Sequence, residues 1–348
     1  MIQYQLKTKQ TEPTTFNMAL SLSRIVFMGT PEFAVSSLEA LVKAGFNIVG
    51  VVTAPDKPAG RGMKINESAV KKYAAQKGLK ILQPEKLKND EFLSELQSLK
   101  ADLQVVVAFR MLPDVVWNMP PKGTINLHAS LLPQYRGAAP INWTIINGEK
   151  ETGVTTFKLQ HEIDTGNILL QERIPIDENE TAGELHDQMK EVGARLVVET
   201  VKGILEGTLQ ETPQSSVVSG QLSMENSQAS DTHSQFTIHG SQLRNAPKIK
   251  TETCQINWNK SLNEIHNLVR GLSPYPAAFT ELRDKTLKVF KTEKEQAVPT
   301  SRPGRWETDR KTYLKFACKD GYIHLKEVQL EGKKRMNIED FLRGHRFE

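Results

Sequence analysis

Arg24-Ile-Val-Phe-Met-Gly-Thr-Pro-Glu-Phe-Ala34 begins with an apolar run of strand length and passes directly into a helix start. Thr30 suits an N-cap, Pro31 the first helical position and Glu32 the positive end of the helix dipole. Ala34, Leu38, Leu41 and Val42 then fall on one helical stripe, which Gly45 ends. Ile48 to Thr53 is a second apolar run. A strand, a helix and a strand within residues 24–53 require a right-handed parallel crossover. The expected fold class is therefore α/β, with an open, Rossmann-like parallel sheet. One glycine after the first strand is not the G-x-G-x-x-G of a dinucleotide site, and no acidic residue ends the second strand. Both absences argue against a nicotinamide cofactor.

The same pattern continues downstream. Residues 67–77 read as a short helix ended by Gly78. Ala101 to Phe109 is an almost continuous apolar run, the mark of a strand buried on both faces. Gly123-Thr-Ile-Asn-Leu-His128 alternates, with Ile125 and Leu127 apolar and Asn126 and His128 polar. Side chains two apart leave the same strand face, so an amide and an imidazole point together. Ser130-Leu-Leu-Pro133 breaks the strand as a short apolar turn. A helix is expected over Ala139 to Asn147, and strands over Gly153 to Leu159 and Asn167 to Ile176. Between these strands lies Asp164-Thr-Gly166, a sharp turn in which an Asp ordinarily serves as a local Asx-turn acceptor. Thr181 with Glu184 forms a capping box for a long helix running to about Leu205.

At 348 residues, two domains are expected. Hydrophobic content of 38% and charged content of 25% lie in the globular range. No apolar run approaches the roughly 20 residues of a membrane span. Residues 1–23 are polar and mixed and read as a disordered extension, or as sequence upstream of a start at Met18. Cys254 and Cys318 make neither a disulfide framework nor a metal site, which fits a reduced cytoplasmic protein.

From about Leu209 to Ala246, Ser, Gln, Thr and Asn dominate, and residues 209–246 read as a flexible linker between a domain at 24–208 and another at 247–348. In the latter, Gln255 to Trp258, Phe279 to Arg283, Thr286 to Lys291, Tyr313 to Cys318 and Tyr322 to Val328 read as strands. Lys319-Asp-Gly321 is a hairpin signal, and Ser261 with Glu264 caps a helix ending near Gly271. A small OB-like β-barrel of five to six strands is the expected outcome. The chain's net charge is +4, but from Pro247 onward there are 21 Lys and Arg against 14 Asp and Glu. This domain is basic, as a solvated face would be, and as a surface for an acidic polymer would be. Ala54 to Lys64 is a Pro- and Gly-rich loop carrying Lys57, Arg61 and Lys64, either a plain surface connection or a contact for a phosphate backbone.

Asn126-Leu-His128-Ala-Ser-Leu-Leu-Pro133 with Asp164-Thr-Gly166 resembles the folate-dependent formyltransferases. The resemblance extends over Arg24–Ala34, Pro55–Gly62, Ser130–Ile141, Glu151–Thr155, Ala246–Ile249 and Ile256–Trp258. The stretch 55–62 matches the members acting on charged tRNA rather than the whole family. The N-terminal tail and the long Ser-rich linker depart from the pattern.

The resemblance implies attack of the α-amine of initiator methionyl-tRNA on the formyl carbon of 10-formyltetrahydrofolate; no metal is needed, and nothing in the sequence demands more than a monomer. Asn126, His128 and Asp164 are the implied catalytic set. Asn126 would donate to the developing oxyanion, worth about 3 kcal/mol per good donor. His128 would donate to that oxygen or move a proton off the amine. Asp164 would orient the imidazole, or relay a proton through water to the leaving nitrogen. Ser130, Leu131, Leu132 and Pro133 would line the folate pocket, with backbone groups reading the pterin edge. Arg61, with Lys57 and Lys64, would reach the acceptor arm, and Lys333, Lys334, Arg335 and Arg343 would hold the tRNA body. A formyltransferase for glycinamide ribonucleotide or an amino sugar would share the catalytic set without needing the basic loop or domain. A silent nucleic-acid-binding protein on the same fold would not need the set.

Overall fold

A computed structural model describes residues 22–59, 64–219 and 243–344. These divide into two compact units. The first contains the described residues up to Leu127 with Thr156–His161 and Ala194–Glu211. The second contains His128–Thr155, Glu162–Gly193 and the described residues from Thr212 onward.

In the first unit the chain runs β1 (Arg24–Gly29), α1 (Glu32–Lys43), β2 (Asn47–Val52), a hairpin of β3 (Lys57–Ala59) and β4 (Lys64–Asn66), α2 (Ala69–Gln76) and β5 (Ile81–Leu82). It continues with α3 (Asp90–Ser98), β6 (Leu103–Val107), α4 (Asp114–Trp117) and β7 (Thr124–His128). The strand order β5-β2-β1-β6-β7 is parallel throughout, as the 24–53 crossover requires. Every residue of β6 is buried, and Val26, Met28, Val52, Leu96 and Val106 share one core. Helix α1 begins one position later than expected, with Pro31 at its cap and no side-chain cap bond. The turn before it needs Gly29, because a Cβ there would lie 2.7 Å from the Ala34 Cβ and 3.0 Å from the Val107 carbonyl oxygen. Helices α3 and α4 and the two-residue β5 have no strong periodic signal in the sequence.

The second unit opens with β8 (Arg136–Gly137), α5 (Pro140–Ile146), β9 (Glu151–Lys158, whose last three residues belong to the first unit), β10 (Ile168–Pro175) and α6 (Ala182–Glu206, to Gly193). In the strand order β10 lies next to β9. The Thr181–Glu184 capping box is present in both directions. Next come α7 (Gln214–Ser219), β11 (Asn245–Ala246), α8 (Thr251–Cys254), α9 (Leu262–Leu272), β12 (Ala278–Leu282), β13 (Lys285–Glu295), β14 (Trp306–Thr308), β15 (Leu314–Ala317), β16 (Tyr322–Leu330), β17 (Met336–Asn337) and α10 (Ile338–Gly344).

Strands β12-β13-β16-β15-β14 form an antiparallel sheet, with β17 beside β16. Its core joins Trp258, stacked on Phe316 at 4.4 Å, to Ile265 and Val269 of α9. The Ser261–Glu264 capping box forms as expected. Gln255 to Trp258 is not a strand: Gln255 makes one bridge to Phe279, and Trp258 turns into the core. Residues 209–246 are not uniformly linker-like either. Thr212 bridges Ile168, α7 follows, and β11 pairs in parallel with β8. Short hydrogen-bonded segments of polar residues carry no apolar period, so composition alone reads them as linker. Residues 1–21 and 220–242 lie outside the described residues. No described helix is long and apolar enough to cross a membrane.

On α9, His266 is 5% exposed, with Nδ1 2.9 Å from the Thr292 hydroxyl and Nε2 without a hydrogen-bond partner among the described residues. Burial first, then the positive charges of Lys294 and Arg270, push its pKa down to about 4, against the opposing charge of Glu178. The folded state therefore binds fewer protons than the unfolded chain between about pH 6.5 and 4. Stability should therefore be lost as pH drops through that window, by about 3 kcal/mol in full at 1.36 kcal/mol per pKa unit. Urea midpoints at pH 7 and pH 5 read this directly. A His266→Phe variant should lose that part of the slope, and identical slopes would contradict the assignment.

Candidate active site

Strand β7 buries Ile125 and Leu127 and sends Asn126 and His128 off its other face. Asn126 is half-buried, and its amide has no hydrogen-bond partner among the described residues. His128 is 6% exposed, and its Nε2 donates to the Tyr135 carbonyl oxygen at 2.9 Å. A carbonyl only accepts, so Nε2 carries the proton, and in the neutral ring Nδ1 is the basic nitrogen. That nitrogen lies 3.8 Å from Asp164 Oδ2, beyond hydrogen-bond range. The carboxylate thus lies beside the imidazole without bonding it directly.

Asp164 does not serve its own turn as an Asx acceptor. Its Oδ2 accepts from the Gly137 amide at 3.0 Å, on β8. Its backbone sits at φ +54°, a region L-residues seldom adopt, and this aims the carboxylate back toward His128. Tyr135 is also at positive φ (+59°), which turns its carbonyl to the imidazole. The Tyr135 hydroxyl donates to Glu149 at 2.6 Å; burial, then that bond, pushes its pKa up to about 12, so it stays a donor.

The turn after β7 is pinned from β9 and β10. The Thr155 hydroxyl donates to the Ser130 carbonyl at 2.6 Å and accepts from the Leu132 amide at 3.1 Å and Gln171 Nε2 at 2.9 Å. Gln171 Nε2 also donates to the Leu132 carbonyl, and the Leu131 carbonyl accepts from the Gln134 amide. Leu131, Leu132 and Pro133 are buried. The Ser130, Leu131 and Leu132 carbonyls and the Leu132 amide are thus engaged inside the fold.

An imidazole with one nitrogen fixed and the other basic, beside a carboxylate and an uncommitted amide, suits acyl transfer to an amine. Family models agree with that chemistry. The formyl transferase model matches residues 23–201, and the formyl transferase C-terminal domain model matches residues 248–346. The methionyl-tRNA formyltransferase of Parabacteroides distasonis is 54% identical over 327 residues, 92% of this chain and 95% of its own. That of Phocaeicola vulgatus is 54% identical over 329 residues, 93% and 96% of the two chains. The chain belongs to the methionyl-tRNA formyltransferase family. Among solved structures, an N-formyltransferase from Helicobacter canadensis, in complex with folinic acid and dTDP-3-aminofucose, superposes with a TM-score of 0.62 at 22% identity. The match covers 87% of this chain and 99% of that one, a likeness of fold.

In this formyltransferase the expected tRNA contacts fall into three groups. Arg61 lies outside the described residues, and so does the side chain of Lys64. Lys57 is exposed on β3. The base of that hairpin is anchored by Asp56, which accepts from Lys71 and from Gln83 Nε2. Of the C-terminal set, Arg335 forms a two-bond ion pair with Glu327 and lies over the Phe290 ring at 4.2 Å, while Arg343 is paired with Asp340. Lys333 and Lys334 are exposed at the turn between β16 and β17 and have no carboxylate partner among the described residues.

Several residues that shape the site are absent from the sequence-based set: Tyr135, Thr155, Gln171, Gln214 and Arg244. No local signal marks them out. Thr155 and Gln171 lie on β9 and β10 among other polar residues, Thr152 and Thr156 on the one and Glu172 and Arg173 on the other.

Proposed function

We propose that this protein transfers the formyl group of 10-formyltetrahydrofolate to the α-amine of initiator methionyl-tRNA, releasing N-formylmethionyl-tRNA and tetrahydrofolate. The observation that carries the reading is the uncommitted Asn126 amide on the same strand face as His128. The methionyl-tRNA formyltransferases with which the chain shares about half its residues supply the substrate class.

The chemistry follows from the geometry. The amine attacks the formyl carbon, forming a C–N bond and placing negative charge on the formyl oxygen. Asn126 donates to that oxygen, worth about 3 kcal/mol in the transition state. His128 Nδ1 takes the proton that the attacking nitrogen sheds, and the resulting imidazolium faces the Asp164 carboxylate at 3.8 Å. Collapse breaks the bond between the formyl carbon and N10 of the folate, and N10 takes a proton, either from the imidazolium or through water. The apolar turn 130–133 walls the folate. The basic second domain and the β3–β4 hairpin receive the tRNA phosphates, in a protein that works in the cytoplasm as a monomer.

Two exposed lysines test the polymer part of this reading. Lys333→Gln together with Lys334→Gln should raise KM for methionyl-tRNA, leave kcat in place, and lower the slope of log affinity against log salt by about 2, roughly 0.9 per phosphate contact. An unchanged salt slope would remove both residues from the tRNA surface. For the reaction itself, label in the formyl group of 10-formyltetrahydrofolate should appear on methionyl-tRNA; label that stays with the folate would contradict the assignment.

A further inference from the structure

Asp164 and Tyr135, the two residues that flank the His128 ring, both have left-handed backbones, at φ +54° and +59°. Such conformations cost non-glycine residues of order 1 kcal/mol each and persist where their surroundings hold them. Each is held by a residue from one end of the segment whose composition reads as a linker.

Gln214, on α7, is 4% exposed, and its amide is fully used around the Asp164 turn. Its Nε2 donates to the Asp164 carbonyl at 2.8 Å and to the Gly166 carbonyl at 2.8 Å. Its Oε1 accepts from Arg136 Nε at 3.1 Å and Nη2 at 2.5 Å. Arg136 precedes Gly137, whose amide holds the Asp164 carboxylate. One buried side chain thus ties the Asp164 backbone to the strand that grips the Asp164 side chain.

At the other end, the Arg244 carbonyl accepts from the Tyr135 amide at 2.7 Å, and the Arg244 amide donates to Gln134 Oε1 at 2.9 Å. Arg244 Nη1 reaches Glu149 Oε1 at 3.0 Å, the same oxygen that accepts the Tyr135 hydroxyl. The next two residues form β11, paired with β8. Arg244 therefore fixes Tyr135 through its backbone and through their shared carboxylate, and Tyr135 fixes the Nε2 side of His128.

We propose that Gln214 and Arg244 are positioning residues for formyl transfer, Gln214 setting Asp164 and Arg244 setting the Tyr135 carbonyl that orients His128. The proposal rests on the catalytic reading of His128 and Asp164. A misplacement of about 1 Å in such a pair costs up to about 100-fold in rate.

The test uses the full chain and steady-state kinetics with both substrates. Gln214→Met, which keeps the length and removes the amide, and Arg244→Met should each lower kcat by about 10- to 100-fold, with both KM values within about twofold of wild type. Arg244 is half-exposed, so its variants should fold even if Gln214→Met does not. Arg244→Lys keeps the Glu149 ion pair and should restore most of kcat. In a His128→Ala background the Gln214→Met and Arg244→Met changes should cost little more, because they act through the missing ring. A kcat within twofold of wild type in Arg244→Met, or losses that multiply undiminished in the His128→Ala background, would overturn the proposal. Full activity of His128→Ala alone would instead overturn the catalytic reading beneath it.

Discussion

Replacing His128 by alanine should lower kcat for formyl transfer to methionyl-tRNA by about a thousandfold, within the span ordinarily contributed by a positioned acid–base group. KM for tRNA should stay near the wild-type value. The imidazole is nearly buried, its Nε2 is committed to the Tyr135 carbonyl, and Nδ1 faces Asp164. Its loss removes the base without touching the basic surface of the second domain. His128→Gln sharpens the result: a side-chain amide can still donate to the Tyr135 carbonyl, but it cannot take the amine's proton. It should remain as slow as the alanine variant while unfolding near the wild-type temperature. Single-turnover formylation across pH is the measurement. A variant that turns over within tenfold of wild type would mean that the proton leaves by another route.

Thr155→Val should be the most damaging isosteric change near the site. Thr155 is fully buried, and its hydroxyl joins the Ser130 carbonyl, the Leu132 amide and Gln171 Nε2. Valine matches its shape but offers none of these bonds. Gln171 keeps the Leu132 carbonyl as a partner, whereas the Leu132 amide has no other among the described residues. A buried group left unpaired costs about 1–3 kcal/mol, so the variant should lose about 3 kcal/mol once the stranded amide and the weakened Ser130 carbonyl are counted. The turn 130–133, no longer held from behind, should also fit its ligand less well. KM for 10-formyltetrahydrofolate should rise while KM for tRNA does not. Urea denaturation and the two KM values report the two effects separately. A valine variant with wild-type stability and folate KM would show that the turn is held by its apolar packing alone.

The sequence carries the fold wherever structure follows a local period or a cap. The apolar runs at 24–28 and 48–53 with the amphipathic helix between them become a parallel crossover, and the capping boxes at Thr181 and Ser261 appear as bonds in both directions. Strand alternation likewise puts Asn126 and His128 on one face. What could not be read is the long-range support. The hydroxyl of Thr155 serves a turn more than twenty residues away in the chain, and Gln214 lies fifty residues beyond the carbonyl it holds at Asp164. A lone polar residue has no period, so nothing local distinguishes it from its solvated neighbours. The same limit explains why the ends of the linker read as featureless: their order comes from partners elsewhere in the chain. Of the four C-terminal basic residues singled out by charge, two have carboxylate partners on their own surface, and charge counting cannot separate these from Lys333 and Lys334.

The most direct test offers the purified protein 10-formyltetrahydrofolate with charged initiator methionyl-tRNA, charged elongator methionyl-tRNA and glycinamide ribonucleotide in parallel. Formylation should be fastest by far on the initiator tRNA, absent on the ribonucleotide, and abolished on every acceptor by His128→Ala. Efficient formylation of the ribonucleotide, or transfer to the initiator that survives the loss of His128, would contradict the account.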